Sequence, residues 1–157
     1  MESAIEPAGV FVALGSNLGD RLRQLESGLA QLEQAGCRLQ RLSSVWITAP
    51  EELLEQPEFF NQVVQVATRL GPLALLRECL QIEARLGRRR ALPKGPRPLD
   101  LDLLVYGDLV VETAELQLPH PRLARRRFVL EPLCEIAPDL RVPGQPGDVR
   151  QLLQRLG

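Results

Sequence analysis

The sequence predicts an α+β fold in which helices pack on one antiparallel sheet. Apolar β-prone runs and segments with helical Leu spacing alternate in the order strand, helix, strand, strand, helix, strand. This is the order of the split-βαβ, ferredoxin-like arrangement (βαββαβ). No repeat or linker divides the 157 residues, and this length suffices for one hydrophobic core. The prediction is therefore a single domain over residues 1–157 with a C-terminal extension of hairpin and helix.

The first half of the chain predicts a strand, a helix and a second strand. Residues 10–14 form an apolar run that ends at Gly15, which is typical of a buried strand. Asp20 fits a helix N-cap, and Gly36 ends the helical pattern. Residues 39–49 have the β-prone composition of a further strand. The predicted core side of the helix consists of Leu22, Leu25, Leu29 and Leu32.

The second half predicts a strand, a helix, a last strand and a short hairpin partner. Residues 59–70 contain a Val-rich strand, and Pro72 begins a helix because proline is well placed in a first helical turn. Residues 99–106 form the last strand, and residues 109–113 offer it a hairpin partner across a Gly-Asp turn. The predicted buried side of the second helix consists of Leu73, Leu76, Leu80 and Leu86.

Composition excludes several classes of protein. The chain has 45% hydrophobic and 25% charged residues, as an ordinary soluble globular protein does. No apolar run approaches the ~20 residues that cross a bilayer, so we expect no membrane partner. The first residues lack the basic and apolar regions of a signal peptide. The three scattered cysteines predict reduced core thiols of a cytoplasmic protein rather than a disulfide framework or a zinc site.

Two carboxylates interrupt the last predicted strand. Asp100 and Asp102 stand two residues apart among leucines, so a strand places both on the same face. Burying two like charges side by side is costly unless a cation neutralises them. Oxygen ligands suit Mg²⁺, which completes its coordination with water and substrate phosphates. The residues alone leave a second interpretation open, in which the aspartates of an edge strand simply face water.

Basic residues concentrate in two short segments although the net charge is −1. Residues 87–98 combine glycine and proline with five basic residues and lead directly into the aspartate strand. Residues 122–127 carry four arginines and follow His120, the only histidine. Two such clusters in a near-neutral protein indicate a local anion site, although each alone could be a solvated surface. Arginines beside a magnesium site are typical of phosphoryl transfer.

Four motifs resemble those of 6-hydroxymethyl-7,8-dihydropterin pyrophosphokinases, in the same order and at the same spacing. They are Leu14-Gly15-Ser16-Asn17-Leu18-Gly19-Asp20, Pro57-Glu58-Phe59-Phe60-Asn61, Gly95-Pro96-Arg97-Pro98-Leu99-Asp100-Leu101-Asp102, and Pro119-His120-Pro121-Arg122 with Phe128. The resemblance implies a monomer that transfers pyrophosphate from ATP to the hydroxymethyl group of a dihydropterin and releases AMP. This reaction is a step of folate biosynthesis.

On the nucleotide side, the resemblance implies that Asp100 and Asp102 hold two Mg²⁺ ions and act in catalysis together with Arg88 and Arg97. ATP is the co-substrate, and the contacts implied for it are Glu83, Arg88, Arg90, Arg97, His120 and Arg126. Without the resemblance, a lone histidine between prolines is typical of a structural turn.

On the acceptor side, the resemblance implies that Phe59 and Phe128 sandwich the pterin ring. Asn61 would recognise the edge of the ring by hydrogen bonds, because its amide can both donate and accept them. The other pocket positions implied are Gly15, Thr48 and Ala49. Without the resemblance, each aromatic residue would be more typical of a hydrophobic core.

Two other functions remain open from the sequence. A ferredoxin-like domain could bind a nucleotide or pterin without turnover, and its ligand binding would then survive loss of Asp100 and Asp102. An RNA-binding domain would use the arginine clusters and expose aromatic residues on its sheet. The central strands carry apolar or small polar residues instead. We therefore expect small-molecule partners and no nucleic acid.

Overall fold

A computed structural model of the chain describes residues 9–49, 57–86 and 98–157. The strands of its main sheet are β1 (Val10–Ser16), β2 (Cys37–Leu42), β3 (Trp46–Thr48), β4 (Phe59–Thr68) and β5 (Asp100–Tyr106). A separate hairpin contains β6 (Val111–Glu112) and β7 (Gln117–Leu118). The helices are α1 (Arg21–Gln34), α2 (Pro72–Arg85), α3 (Arg127–Ile136) and α4 (Val149–Arg155), with a 3₁₀ turn at Leu123–Arg125.

The main sheet has the strand order β2-β4-β1-β5, and β3 also pairs with β4. Every pairing in this sheet is antiparallel. The predicted α+β, ferredoxin-like fold is confirmed. The predicted strand over residues 39–49 is in fact two strands, because residues 43–45 leave the ladder between β2 and β3.

Helix α1 begins where the sequence predicted. The carboxylate of Asp20 accepts a hydrogen bond from the Arg23 N–H at 3.2 Å, which caps the first turn. Leu25 and Leu32 are buried as predicted, but Leu22 is 51% exposed, so its assignment to the core was wrong. The Arg21 guanidinium lies 4.2 Å from the centroid of the Phe60 ring and covers the apolar surface that the first turn faces.

Helix α2 begins at Pro72 as predicted, and three of its four predicted core leucines pack against the core while only partly buried. Leu75, Cys79 and Ile82 are fully buried and follow one another at helical spacing. Leu80 is 49% exposed, which contradicts the prediction. It follows Cys79 by one residue and therefore points about 100° away from the buried face.

The sheet is covered on both faces, whereas the sequence predicted helices on one. Helices α1 and α2 cover the face that presents Val12, Leu14 and Leu101. Helices α3 and α4 cover the other face, where Phe11 and Val63 contact their apolar side chains. Helices α3 and α4 of the C-terminal extension are thus a third layer of the fold, whereas Leu116 and Leu118 of the hairpin are buried in the core that α1 and α2 cover.

The predicted pairing of residues 109–113 with the last strand was wrong. Val111 and Glu112 pair with β7 instead, and the Leu104 carbonyl on β5 accepts a hydrogen bond from the His120 N–H at 2.8 Å. The segment leading to His120 therefore lies beside β5, where the hairpin partner was expected. The peptide bond between Leu118 and Pro119 in this segment is cis.

The three cysteines are free thiols. Cys37 and Cys79 are buried, and burial raises the pKa of the Cys79 thiol to about 12. Such a thiol is inert as a nucleophile at neutral pH. Within residues 9–49, 57–86 and 98–157, no helix is both long and apolar enough to cross a membrane.

We expect Gly28→Ala to lower the free energy of unfolding by about 1 kcal/mol, although alanine is the better helix former. A Cβ on Gly28 would lie 3.0 Å from Cδ2 of Leu99 and 3.2 Å from Cδ2 of Leu14. Both leucines are fully buried and have little room to move. Urea denaturation measures the effect, with the nearby Ser27→Ala as the matched control. A more stable Gly28→Ala protein would contradict this account of the packing.

Candidate active site

The two strand aspartates lie opposite residues with almost no side chain. In the antiparallel pairing of β1 with β5, Gly15 faces Asp100 and Ala13 faces Asp102. Leu101 and Leu103 point into the core on the other face, and both aspartates are half-buried. The two carboxylates therefore share one face, as predicted, and the neighbouring strand places only Gly15 and Ala13 beside them.

Glu83 holds the strand between the two aspartates. Its buried carboxylate accepts a hydrogen bond from the Leu101 N–H at 2.7 Å. A buried carboxylate is stabilised by such a backbone donor. The structure thus places Glu83 next to the aspartate strand, and its predicted contact with ATP stays a prediction.

A row of residues crosses the same face of the sheet. Asp100 on β5 lies opposite Gly15 on β1, Gly15 lies opposite Asn61 on β4, and Asn61 lies opposite Trp46 on β3. Directly paired residues share a face, and neighbouring strands lie roughly 4.8 Å apart. Two predicted acceptor residues therefore lie beside a predicted metal ligand on one surface.

The predicted acceptor residues of β1, β3 and β4 form one cluster. The Asn61 amide donates a hydrogen bond to the Thr48 hydroxyl at 2.7 Å. A Cβ on Gly15 would lie 3.2 Å from Oδ1 of Asn61 and 3.8 Å from Cδ1 of Phe59. Glycine at this position therefore lets the amide and the ring approach the floor of the cluster. Ala49 follows β3 directly and is exposed.

Helix α3 brings the second aromatic residue to this region. Phe128 lies in the first turn of α3. Its ring is half-exposed and packs against the apolar side chains buried between the sheet and helices α3 and α4. The Arg126 guanidinium lies 5.3 Å from the centroid of its ring. Arg126, predicted to bind ATP, and Phe128, predicted to bind the pterin, are therefore neighbours at the start of α3.

The His120 imidazole has a lowered pKa and a defined tautomer. Burial lowers the pKa of its imidazole below the ordinary value of 6.5; the charge of Asp102 opposes the shift, and Arg126 and Arg122 add to it. Nδ1 accepts a hydrogen bond from the Arg122 N–H at 3.1 Å, so the ring proton is on Nε2. An imidazole that carries its proton on Nε2 can donate it to a phosphate oxygen.

The loop arginines predicted for ATP and catalysis, Arg88, Arg90 and Arg97, lie outside the described residues. Their roles therefore stay predictions. In the part of the chain that the structure describes, no group of three or more His, Cys, Asp or Glu side chains could hold a metal. The pair of Asp100 and Asp102 supplies two carboxylates, which fit Mg²⁺ when phosphates and water provide its other ligands.

Asn17 and Arg21, which the sequence interpretation did not assign, hold the start of β4. The Asn17 amide is fully buried and donates to the Pro57 carbonyl at 3.3 Å. The Arg21 guanidinium donates to the Glu58 carbonyl at 2.8 Å. Together they fix the two residues before Phe59. In the sequence, the polar pair Ser16-Asn17 just after an apolar run was the feature that could have identified Asn17 as a structural contact of this site.

A cavity of about 540 Å³ also opens beside the first residues of β1, away from this site. Its lining includes Phe11, Arg41 and Gln65 together with residues 136–140. None of the predicted site residues lines it. The candidate active site is therefore the surface formed by β1, β3, β4, β5 and the start of α3.

The family model of 7,8-dihydro-6-hydroxymethylpterin-pyrophosphokinase (HPPK) matches residues 11–138. The chain belongs to this family. It is 42% identical over 135 residues to the 2-amino-4-hydroxy-6-hydroxymethyldihydropteridine pyrophosphokinase of Pseudomonas aeruginosa, covering 85% of this chain and 83% of that protein. It is 43% identical over 127 residues to the protein of the same name from Bacillus subtilis, covering 80% of this chain and 76% of the relative. The predicted family resemblance is confirmed.

Other HPPK relatives are much longer than this chain. The chain is 38% identical over 147 residues to the folic acid synthesis protein fol1 of Schizosaccharomyces pombe, covering 93% of this chain but only 20% of that protein. A crystal structure of HPPK-DHPS from Plasmodium falciparum has a TM-score of 0.77 at 16% identity. That match covers 93% of this chain and 44% of the solved chain, and it supports the fold.

We expect the single imidazole of this HPPK family member to titrate below pH 6.5 in the ligand-free, metal-free protein. Long-range ¹H–¹⁵N NMR spectra at pH 7 should show the proton on Nε2. Asp102→Asn should lower the imidazole pKa further, because it removes a negative charge that opposes the shift. A proton on Nδ1, or a pKa above 6.5, would contradict the described geometry.

Proposed function

We propose that this chain transfers pyrophosphate from ATP to the hydroxymethyl group of 6-hydroxymethyl-7,8-dihydropterin, giving AMP and the pterin diphosphate in folate biosynthesis. The observation that carries the proposal is the row from Asp100 through Gly15 to Asn61. Its ends lie two strand spacings apart, roughly 10 Å. This separation allows an acceptor on β4 to meet a triphosphate on β5.

The reaction is a single displacement at phosphorus. The hydroxymethyl oxygen forms a bond to the β-phosphorus of ATP, and the bond from that phosphorus to the α,β-bridging oxygen breaks. AMP leaves with the electron pair of the broken bond, and the hydroxyl proton passes to water. Such transfers depend mainly on positioning the two substrates and on stabilising the phosphate charge.

The acceptor side is built to hold a flat, polar ring. Phe59 and Phe128 would stack on its two faces, and Asn61 would pair with its donor and acceptor edge. The Thr48 hydroxyl accepts from the Asn61 amide and so fixes which way the amide points. The backbone of Ala49 and the bare surface of Gly15 would complete the pocket.

The nucleotide side combines cationic donors with the aspartate pair. Asp100 and Asp102 would hold two Mg²⁺ ions, which neutralise phosphate charge when they are bound. His120 would donate its Nε2–H to a phosphate oxygen, and Arg126 would pair with another. Arg88, Arg90 and Arg97 are assigned to the triphosphate on the family motifs, with Arg88 and Arg97 stabilising the charge that develops during transfer. Glu83 would lie close to the nucleotide.

We also propose that residues 1–157 act as one pyrophosphokinase domain, as a monomer in the cytoplasm. The family match over residues 11–138 and the shared sheet support one domain. Three free thiols support a reducing compartment. The partners we propose are ATP and the dihydropterin, with no nucleic acid and no membrane.

We expect AMP release from ATP and Mg²⁺ to require 6-hydroxymethyl-7,8-dihydropterin and to fall at least about 10³-fold in Asp100→Asn and Asp102→Asn. Each change keeps the side-chain volume but removes the charge that would hold the metal. Asp139→Asn, which removes one exposed carboxylate from an ion pair with Arg150, is the matched control and should stay fully active. A coupled assay for AMP measures all four proteins.

The outcomes separate the candidate functions. AMP formation without the pterin would indicate an ATP hydrolase. Tight pterin and nucleotide binding without turnover, unchanged when both aspartates are replaced, would favour the non-catalytic binding domain.

We expect Gly15→Ala to raise the KM for the pterin about tenfold and to leave the KM for ATP unchanged. The new methyl group would press on the Asn61 amide, which lies 3.2 Å from its position. The backbone at Gly15 is outside the left-handed region, so the effect is steric. Gly71→Ala, where a Cβ meets nothing within 4 Å, is the control for steady-state kinetics. A rise in both KM values would argue against Gly15 as the pocket floor.

A further inference from the structure

Glu135, near the end of α3, binds the corner that joins β2 to β3. Its carboxylate accepts hydrogen bonds from the Ser44 N–H at 3.0 Å, the Ser44 hydroxyl at 2.7 Å and the Trp46 indole N–H at 2.9 Å. Two donors come from Ser44, in the segment that leads into β3, and the third comes from Trp46, the first residue of β3. One side chain of the third layer therefore holds an edge of the sheet.

The same corner is also fixed to the neighbouring strand. The Ser43 N–H donates to the Val63 carbonyl at 2.9 Å, and the Val63 N–H donates to the Ser43 hydroxyl at 2.9 Å. The Gln62 amide donates to the Ser43 carbonyl at 2.8 Å. Residues 43 and 44 thus connect β4 on one side to α3 on the other.

This connection joins two walls of the candidate pterin pocket, defined here as Gly15, Thr48, Phe59, Asn61 and Phe128. Trp46 lies directly opposite Asn61, and Thr48 on the same strand accepts from the Asn61 amide. Phe128 precedes Glu135 by seven residues, so the two side chains leave the same side of α3. Glu135 therefore links the helix that carries Phe128 to the strand that carries Thr48.

Strand β3 needs such a link more than the other strands of the sheet. It has three residues, its one partner among the described strands is β4, and Ile47 at its centre is 57% exposed. So short an edge strand has few contacts of its own to fix its position. The donors from Ser44 and Trp46 also outweigh the opposing effect of partial burial and lower the pKa of the Glu135 carboxyl, so it is charged at neutral pH.

We propose that Glu135 is a positioning residue of the pterin pocket, which sets the distance between Phe128 and the pair formed by Thr48 and Asn61 by binding Ser44 and Trp46. The inference rests on the proposed function and adds to it a residue that touches neither substrate. It predicts that loss of the carboxylate weakens pterin binding and leaves nucleotide binding unchanged.

The test compares Glu135→Ala and Glu135→Gln with Asp139→Ala, an exposed acidic residue just beyond the same helix. Because Glu135 is exposed, its truncation leaves no buried cavity. The Arg41 guanidinium still donates to the Ile136 carbonyl at 2.8 Å and keeps the helix end attached. A glutamine can accept from Trp46 and donate to the Ser44 hydroxyl, so it should restore most of the contact.

Calorimetry measures the Kd of 6-hydroxymethyl-7,8-dihydropterin with Mg²⁺ and an ATP analogue whose α,β-bridging oxygen is replaced by methylene. It also measures the Kd of the analogue alone. We expect Glu135→Ala to raise the pterin Kd about fivefold, which corresponds to the net contribution of one hydrogen bond although three are removed from the corner, with little change for Glu135→Gln or Asp139→Ala. The analogue Kd should stay constant in all variants.

Trp46 is the only tryptophan, so its fluorescence emission should shift in Glu135→Ala as the indole N–H loses its acceptor.

A pterin Kd in folded Glu135→Ala within about twofold of wild type overturns the inference while leaving the proposed function intact. Equal weakening of pterin and analogue also overturns it, because a general loss of structure would affect both ligands. Wild-type protein that binds no pterin overturns the proposed function and this inference together.

Discussion

The antiparallel register between β1 and β5 is the constraint on which the site depends. It places Gly15 and Ala13 opposite Asp100 and Asp102, so the neighbouring strand puts no bulky side chain beside the carboxylates. Slipping the register by one residue would turn the aspartates toward α1 and α2, where their charge would be buried among leucines. The leucines of β5 that are buried against α1 and α2 therefore also determine that the aspartates point to the opposite face of the sheet.

The third layer determines where the exposed face ends. Helix α3 packs over β3 and β4 and carries Arg126 and Phe128 at its beginning. At the end of the sheet beyond α3, several side chains are polar where a hydrophobic core would require apolar ones. Among the residues that the structure describes, Asn17, Asn61, Gln62 and Glu83 are buried polar side chains around this end of the sheet. Buried polar groups reduce stability unless they are hydrogen-bonded, and those of Asn61, Gln62 and Glu83 bind Thr48, Ser43 and Leu101.

The sequence predicted what depends on local pattern. Alternation located the strands, Asp20 and Pro72 located the helix starts, and a two-residue spacing placed both aspartates on one face. The β-prone run breaks after β2 because polar groups of Ser43 bind β4 and those of Ser44 bind α3, and both partners are distant in the chain. Leu22 and Leu80 have the right spacing for a core, but their exposure depends on which neighbour covers the helix.

The acidic groups also determine what else the site must contain. Glu83, Asp100 and Asp102 lie on or beside one short stretch of strand. The charge of Asp102 raises the pKa of the His120 imidazole, and burial and the nearby arginines outweigh it. A triphosphate carries several negative charges and would be repelled by these carboxylates. The strand therefore suits ATP only when cations accompany it, which is the physical reason for the magnesium and the loop arginines that we propose.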